Sequence, residues 1–115
     1  MTTPLAEAIR VLKEAFPGVH VAGKAPKDTR YIRVSRVGGT RSRSVDHMSL
    51  LVECYAPNSV QAEQDALDVD TALQDSPNRS RIISDWDDAT IVDYGDPDTS
   101  AAKWQVHGTL HCITF

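Results

Sequence analysis

The sequence has few features that support catalysis, metal binding or membrane insertion. Its 115 residues include two cysteines, Cys54 and Cys112, which form neither a disulfide framework nor a zinc-binding pattern. Each lies in a segment where apolar and polar residues alternate, and an unpaired cysteine in such a segment behaves as a small buried hydrophobic residue. No apolar run approaches the ~20 residues that span a bilayer, and residues 1–7 lack the basic and apolar regions of a signal peptide. We therefore expect a cytosolic protein that does not enter a membrane.

Motifs of the common catalytic and cofactor-binding families are also absent. The chain has no glycine-rich phosphate loop, nucleophile elbow or His-Glu-x-x-His segment. His107 and His111 share one face of a predicted strand, but four residues along a strand span ~13 Å, too far to chelate one ion. His20 and His47 are isolated in sequence. These patterns predict no catalytic residue, no cofactor and no metal.

Aspartates are concentrated near the start of the last third of the chain. They are Asp85, Asp87, Asp88, Asp93, Asp96 and Asp98. Loop carboxylates can bind calcium or act as acid–base pairs, but these positions lack the regular ligand spacing and the closing glutamate of a calcium loop. We expect solvated turn residues, and an enzyme that uses these carboxylates is the least favoured hypothesis.

The apolar pattern predicts one domain over residues 1–115 with two helices. A composition of 41% hydrophobic and 24% charged residues is typical of a globular chain, and no linker divides it. The first helix follows the cap residue Thr3, with Pro4 at the first helical position. The second follows Asn58, with Gln61 at the capping-box spacing. Their apolar stripes comprise Leu5, Ala8, Ile9, Leu12 and Phe16, and Ala62, Ala66, Leu67, Val69 and Leu73.

Six segments read as strands: 19–22, 31–37, 45–55, 81–84, 90–94 and 104–115. Gly38-Gly39 predicts the bend of a hairpin with a loop of about seven residues, and segments 23–28 and 95–98 predict a loop and a turn. Segment 85–88 separates the fourth and fifth strands. Because long strands follow one another without crossover helices, the order α-β-β-β-α-β-β-β predicts an α+β fold. Its antiparallel sheet would carry both helices on one face.

Positive charge is concentrated in one segment of a chain whose formal net charge is −4. The basic hairpin, residues 30–43, contains Arg30, Arg33, Arg36, Arg41 and Arg43. The outer side of the second helix is predicted to be acidic through Glu63, Asp65, Asp68 and Asp70. Patches of opposite sign on one small domain would guide the contact between copies. A charged edge strand that deters aggregation is the alternative that needs no partner.

Residues 31–56 carry a recognisable pattern. The run YIRVSRVGGTRSRSVD at 31–46 combines an aromatic-x-Arg-Val-x-Arg-x-Gly-Gly strand with a basic bend and an aspartate, and LLVECYA at 50–56 follows it. These runs resemble the corresponding strands of tail terminator proteins from long-tailed bacteriophages, especially those of actinobacterial hosts. Tyr55 stands where tryptophan is common in that family. Residues 59–73 resemble the Ala/Glu/Asp-rich helix that comes next.

The resemblance implies a structural virion protein, not an enzyme. Such a protein caps the tail tube, ends its polymerisation and joins the tail to the head-side neck, after assembly in the host cytoplasm. It works as a ring, expected to be a hexamer, between the tail tube protein and a head-side connector or head-closure protein, while DNA passes through the lumen without specific binding. The expected protomer, tube or lumen contacts are Arg33, Arg36, Arg41, Arg43, Glu63, Asp65, Asp68 and Asp70.

Two other functions fit parts of the pattern. Another neck or head-completion protein would use the same charged patches. A small nucleic-acid-binding module would use the arginines of the basic hairpin, with Tyr31 stacked on a base. The sequence pI of about 5.4 weighs against that module, because nucleic-acid affinity depends on cationic charge.

Overall fold

The structure, a computed structural model, describes residues 2–23, 30–95 and 102–113. Within these ranges the chain forms two helices and a five-stranded sheet. The helices are α1 (Pro4–Ala15) and α2 (Ser59–Asp75), the second followed by a 3₁₀ turn at Ser76–Asn78. The strands are β1 (His20–Ala22), β2 (Tyr31–Arg41), β3 (Val45–Ala56), β4 (Ile83–Asp93) and β5 (Ala102–Ile113).

The strand order across the sheet is β1-β2-β3-β5-β4. The α+β prediction is confirmed, but the sheet is mixed, because β1 pairs with β2 in parallel while every other pairing is antiparallel. The pattern of a three-residue strand carries no information about its direction. Both helices pack on one face of the sheet, where Leu50, Val52 and Cys54 of β3 are fully buried. No helix in the described ranges is long and apolar enough to cross a membrane.

The predicted caps set both helix starts. The Thr3 hydroxyl accepts a hydrogen bond from the Ala6 N–H at 3.1 Å, and Pro4 takes the first turn, where its missing N–H costs nothing. The Asn58 side chain accepts from the Gln61 N–H at 2.9 Å. Each cap satisfies one of the N–H groups that have no partner inside the helix.

The core lies between the helices and the covered face of the sheet. It includes Ala8, Val11 and Leu12 of α1, Ala66, Val69 and Leu73 of α2, and Ile32, Val34, Met48, Leu50, Val52, Cys54, Val106, Leu110 and Cys112 of the strands. Trp86 closes one side of this core above Gly108, where a Cβ would lie 2.6 Å from the indole ring. A glycine at position 108 therefore makes room for the ring.

The Gly38-Gly39 pair is not the bend of the hairpin. β2 continues through both glycines, and a β-bulge at Val37 shifts the register. The reversal comes at residues 42–44, where the Ser42 N–H donates to the Val45 carbonyl at 2.8 Å. The predicted seven-residue loop is therefore wrong, and the connection is a three-residue turn.

Gly39 is needed for the close approach of the two strands. Its φ is +105°, a conformation that residues with a Cβ rarely adopt. A Cβ there would lie 2.0 Å from the carbonyl oxygen of His47. The glycine that suggested a turn in fact permits a bulged strand.

Segment 85–88 lies inside one strand rather than between two. β4 runs from Ile83 to Asp93, with register irregularities between Ile83 and Asp85 and between Asp87 and Thr90. Asp88, in the second irregularity, has a φ of +59°, which aspartate tolerates better than most residues. The prediction of two strands is wrong, because exposed aspartates are acceptable on an edge strand. The observed order is α-β-β-β-α-β-β.

Predictions on two connections fall mainly on residues that the structure does not describe. These are residues 24–28 of the loop predicted at 23–28 and residues 96–98 of the turn predicted at 95–98.

Candidate assembly surfaces

Two arginines of the basic hairpin are bound by buried carboxylates of the same chain. Arg36 donates from Nη1 and Nη2 to the two oxygens of Asp46 at 2.7 and 2.8 Å. Arg30 donates from Nε and Nη2 to Asp65 at 3.1 and 2.8 Å. The hydrogen bonds from Arg36 hold the pKa of the Asp46 carboxyl below its ordinary value. The Arg30–Asp65 pair attaches the hairpin to α2, the Arg36–Asp46 pair joins β2 to β3, and both neutralise part of the positive charge.

All five arginines of the basic hairpin are at least partly exposed, so Arg30 and Arg36 are set apart by their bidentate pairing with buried carboxylates and not by burial. Arg33 lies on β2 with a guanidinium nitrogen 3.9 Å from Glu53. Arg41 and Arg43 lie at the turn end of the hairpin. The cationic surface available to a partner is therefore smaller than the sequence predicts.

The acidic outer side of α2 is also smaller than predicted. Asp65 is buried, so it belongs to the inner side of the helix, and the prediction that it faces outward is wrong. A charge is tolerated there because Arg30, 35 residues earlier, pairs with it. Asp70 is half-buried and accepts a hydrogen bond from the Trp86 indole N–H at 2.9 Å. Glu63 and Asp68 are exposed as predicted.

Apolar side chains lie between these acidic residues. Val60 is 78% exposed and Leu67 is 45% exposed. The prediction that Leu67 widens the buried stripe is wrong, because at 100° per residue it lies 200° away from buried Val69. Val60, Gln64, Leu67 and Thr71 follow spacings of four, three and four residues and therefore share one side. We call these four residues the outer stripe of α2.

The helices leave the other face of the sheet uncovered, and we call it the open face. As predicted for β3, Ser49, Leu51, Glu53 and Tyr55 lie opposite the buried residues of that strand. A groove with a volume of about 350 Å³ crosses the open face from β2 to β4. We call it the open groove. Its apolar lining is Val37, Leu51, Val92 and Tyr94, and Val37, Val92 and Tyr94 are among the most exposed large hydrophobic residues described.

A cluster of charged and aromatic side chains borders one end of the open groove. The Lys103 ammonium donates to Glu53 at 2.8 Å, and the Tyr55 hydroxyl donates to the same carboxylate at 3.2 Å. Burial alone would raise the pKa of the Glu53 carboxyl, but these hydrogen bonds outweigh it and the pKa is lowered. Tyr31 and Tyr55 stack with ring centroids 4.4 Å apart.

A histidine pair borders the other end of the open face. Nδ1 of His47 lies 2.6 Å from Nδ1 of His111, and Nε2 of His111 lies 3.0 Å from an Asp87 carboxylate oxygen. In the tautomer in which Nε2 of neutral His111 donates to Asp87, Nδ1 of His111 accepts a hydrogen bond from Nδ1–H of His47. His107 is not part of this pair and lies in the open groove.

The sequence pattern missed this pair because His47 and His111 are 64 residues apart. The register of β3 against β5 places them directly opposite each other. Knowledge of that register is the signal that would have revealed the contact.

Two further aspartates bind backbone N–H groups close to them in sequence. Asp85 accepts a hydrogen bond from the Trp86 N–H, and Asp93 accepts one from the Gly95 N–H. Asp96 and Asp98 lie outside the described residues. In the described part of the chain, no group of three or more His, Cys, Asp or Glu residues is arranged to hold a metal ion. Cys54 and Cys112 are buried, and burial raises the pKa of both thiols, that of Cys112 to about 11.

Comparison with known proteins gives a likeness in fold but none in sequence. No protein-family model and no curated protein matches the chain. Among solved structures, the chain is similar to one chain of a structure described as the virion of a native gene transfer agent particle. The TM-score is 0.60 at 12% sequence identity, over 96% of this chain and 92% of that chain. At this identity, the likeness shows a shared fold across nearly the full length.

Proposed function

We propose that this chain is a structural virion protein of the tail terminator type. It caps the phage tail tube, ends tube polymerisation and joins the tail to the head-side neck as a ring, expected to be a hexamer. The observation that carries the proposal is the full-length fold likeness to a chain of a gene transfer agent virion. The resemblance of residues 31–56 to tail terminators supports it independently.

Two distinct surfaces on opposite sides of the protomer support a ring. A ring forms when one surface of a protomer binds a different surface of its neighbour. The open face of the sheet and the outer side of α2 point in opposite directions, because the helix packs on the covered face. The remaining partners are the tail tube protein and the head-side connector or head-closure protein, with DNA passing through the lumen without specific binding.

Another neck or head-completion protein is the second candidate. It is favoured by the same fold likeness, because the similar chain belongs to a whole virion rather than to an isolated tail. The hypothesis of a nucleic-acid-binding module has less support than in the sequence alone, because Arg30 and Arg36 already pair with Asp65 and Asp46. Salt-dependent binding to a DNA oligonucleotide that falls on neutralising Arg41 and Arg43 would revive that module.

Electron microscopy of particles assembled without the chain tests the proposal. The genome that encodes the chain is disrupted at this gene, and the wild-type gene supplied in trans is the control. We expect overlong tails or tails without heads, restored to normal by the control. Normal tail length with heads attached would refute the proposal. Normal-length tails that fail to join filled heads would favour the second candidate.

A further inference from the structure

We propose that the outer stripe of α2 in one protomer docks in the open groove of its neighbour and forms the repeating contact of the ring. This inference rests on the ring assembly proposed above and names the two surfaces that build it. The occupant of the groove is a second copy of this chain.

The open groove has the shape and chemistry of a docking site for a helix. It begins at Val37 on β2 and crosses β3 and β5 to Val92 on β4. Three strand spacings correspond to ~14 Å. Val37 is 52% exposed and Val92 is 43% exposed, and Leu51 lies between their strands. The groove crosses β5 at the polar residues Gln105 and His107, and its apolar parts on β2, β3 and β4 are energetically favourable to cover.

The outer stripe of α2 matches that length. Its ends, Val60 and Thr71, are eleven residues apart, which is ~16 Å along a helix. Leu67 lies between them and supplies the larger apolar side chain. Amphipathic helices commonly dock in apolar grooves through residues at these spacings.

The charges beside the two surfaces are complementary. Glu63 and Asp68 flank the outer stripe and are exposed. At one end of the groove, Arg33 and Lys103 surround one carboxylate, Glu53, so the cations outnumber the anion there, whereas Asp87 lies at the other end of the open face. An acidic helix placed in the groove brings opposite charges together, which favours the correct partner and orientation.

The placement of the two surfaces explains why the contact would continue around a ring. The outer stripe points away from the sheet on the helix side, and the groove opens on the other side. Each protomer therefore offers its stripe to one neighbour and its groove to the other. A contact of this kind generates a closed ring when its rotation closes.

Disulfide trapping in assembled particles tests the contact. The double variant Leu67→Cys with Val92→Cys is introduced into the encoding genome, and the particles are oxidised and then separated under denaturing, non-reducing conditions. The native cysteines are buried, so wild-type particles provide the background. A matched control pairs Leu67→Cys with Ile113→Cys, because Ile113 is 41% exposed but lies at the hairpin end of β5. A second measurement uses the Val92→Glu variant. The yield of assembled particles is compared with that of wild type, and the melting temperature of the variant protein shows whether its fold is intact.

We expect the double variant to give a ladder in steps of the 12.6 kDa chain up to the ring, while single variants and the control remain monomeric. Val92→Glu should reduce assembly at least tenfold with an unchanged melting temperature. Covalent dimers from Val92→Cys alone, a ladder from the control pair instead, or normal assembly of Val92→Glu would overturn the contact. If the chain lies in a ring at the tail–neck junction but gives no ladder, the contact is wrong and the function stands. If the chain is absent from that junction, both proposals fail.

Discussion

The two faces of one sheet differ in what their side chains do. On the covered face, Leu50, Val52 and Cys54 pack against the helices without access to solvent. On the open face, the neighbouring residues Leu51 and Glu53 border an exposed groove and a network of paired charges. Alternation along one strand thus separates residues that stabilise the fold from residues available to a partner.

The comparison shows that polar groups on both faces are satisfied within the chain. Buried side-chain nitrogen and oxygen atoms in the described ranges all have hydrogen-bond partners. On the covered side, Asp46 and Asp65 are held by arginines, and on the open face Glu53 is held by Lys103. The open face is therefore preorganised before any partner binds, which lowers the entropic cost of association.

The largest expected effect is a difference in stability between variants of two adjacent leucines, one on each face of the sheet. Leu50→Ala should lower the free energy of unfolding by about 3 kcal/mol, because it removes a fully buried side chain and leaves a cavity. Leu51→Ala on the open face should cost less than about 1 kcal/mol. Urea denaturation of both variants measures the difference. Equal costs would mean that the open face contributes to folding as much as the core does.

The next effect concerns the Arg36–Asp46 ion pair between the two strands of the hairpin. Asp46→Asn should lower the free energy of unfolding by about 2 kcal/mol, because it removes the charged partner of a partly buried Arg36. Asp68→Asn, at an exposed position of α2, is the matched control and should change it by less than about 0.5 kcal/mol. A cost no greater than the control's would show that the Arg36–Asp46 pair adds nothing to stability.

Acid should destabilise both faces through their carboxylates. The folded-state pKa values of Glu7, Asp46 and Glu53 lie below their ordinary values. Their stabilisation is therefore complete above the unfolded pKa of about 4 and is lost as the pH falls through the folded values. We expect the melting temperature to decrease once the pH is lowered below about 4. Melting curves of Asp46→Asn and Glu53→Gln, each with a shallower acid dependence than wild type, would apportion the loss between the faces.

The smallest effect on stability is expected at the end of the hairpin. Arg41→Glu with Arg43→Glu should change the free energy of unfolding by less than about 0.5 kcal/mol, because both side chains are exposed. The same variant should impair assembly and alter tail length in electron micrographs. Lys13→Glu with Arg81→Glu makes the same change in net charge elsewhere on the surface and serves as the control. Normal tails from the hairpin variant would exclude a role for these arginines.

Local sequence signals predicted the covered face well. Thr3 and Asn58 begin their helices because each side chain satisfies a backbone N–H within three residues. The burial of Leu50, Val52 and Cys54 follows from their alternation with Leu51 and Tyr55, although Glu53 is buried as well, in its ion pair with Lys103. Such features depend on neighbours in sequence, so a pattern is sufficient to find them.

Contacts between distant residues escaped the same reasoning. The burial of Asp65 has no local signal, because its partner Arg30, which is 40% exposed, lies 35 residues earlier in the chain. The outer stripe of α2 was not predicted, in part because leucine is a residue type that usually lies in the core, and Leu67 was therefore assigned to the buried side of the helix. The open groove depends on four strands meeting in one register, and no single strand carries that information.

The bulge at Val37 has a consequence for how this hairpin can change in length. The extra residue, Val37, lines the groove, while Arg36 and Gly38 on either side of it pair with the adjacent β3 residues Leu50 and Ser49. Loss of Val37 would therefore restore a regular ladder and leave Arg41 opposite Asp46, on the same face as now. Such a deletion would remove one wall of the groove without disturbing the rest of the strand. Loss of one residue elsewhere in β2 would instead reverse the inside–outside alternation of the positions that follow, so natural single-residue deletions should fall at this bulge or within the turn at residues 42–44.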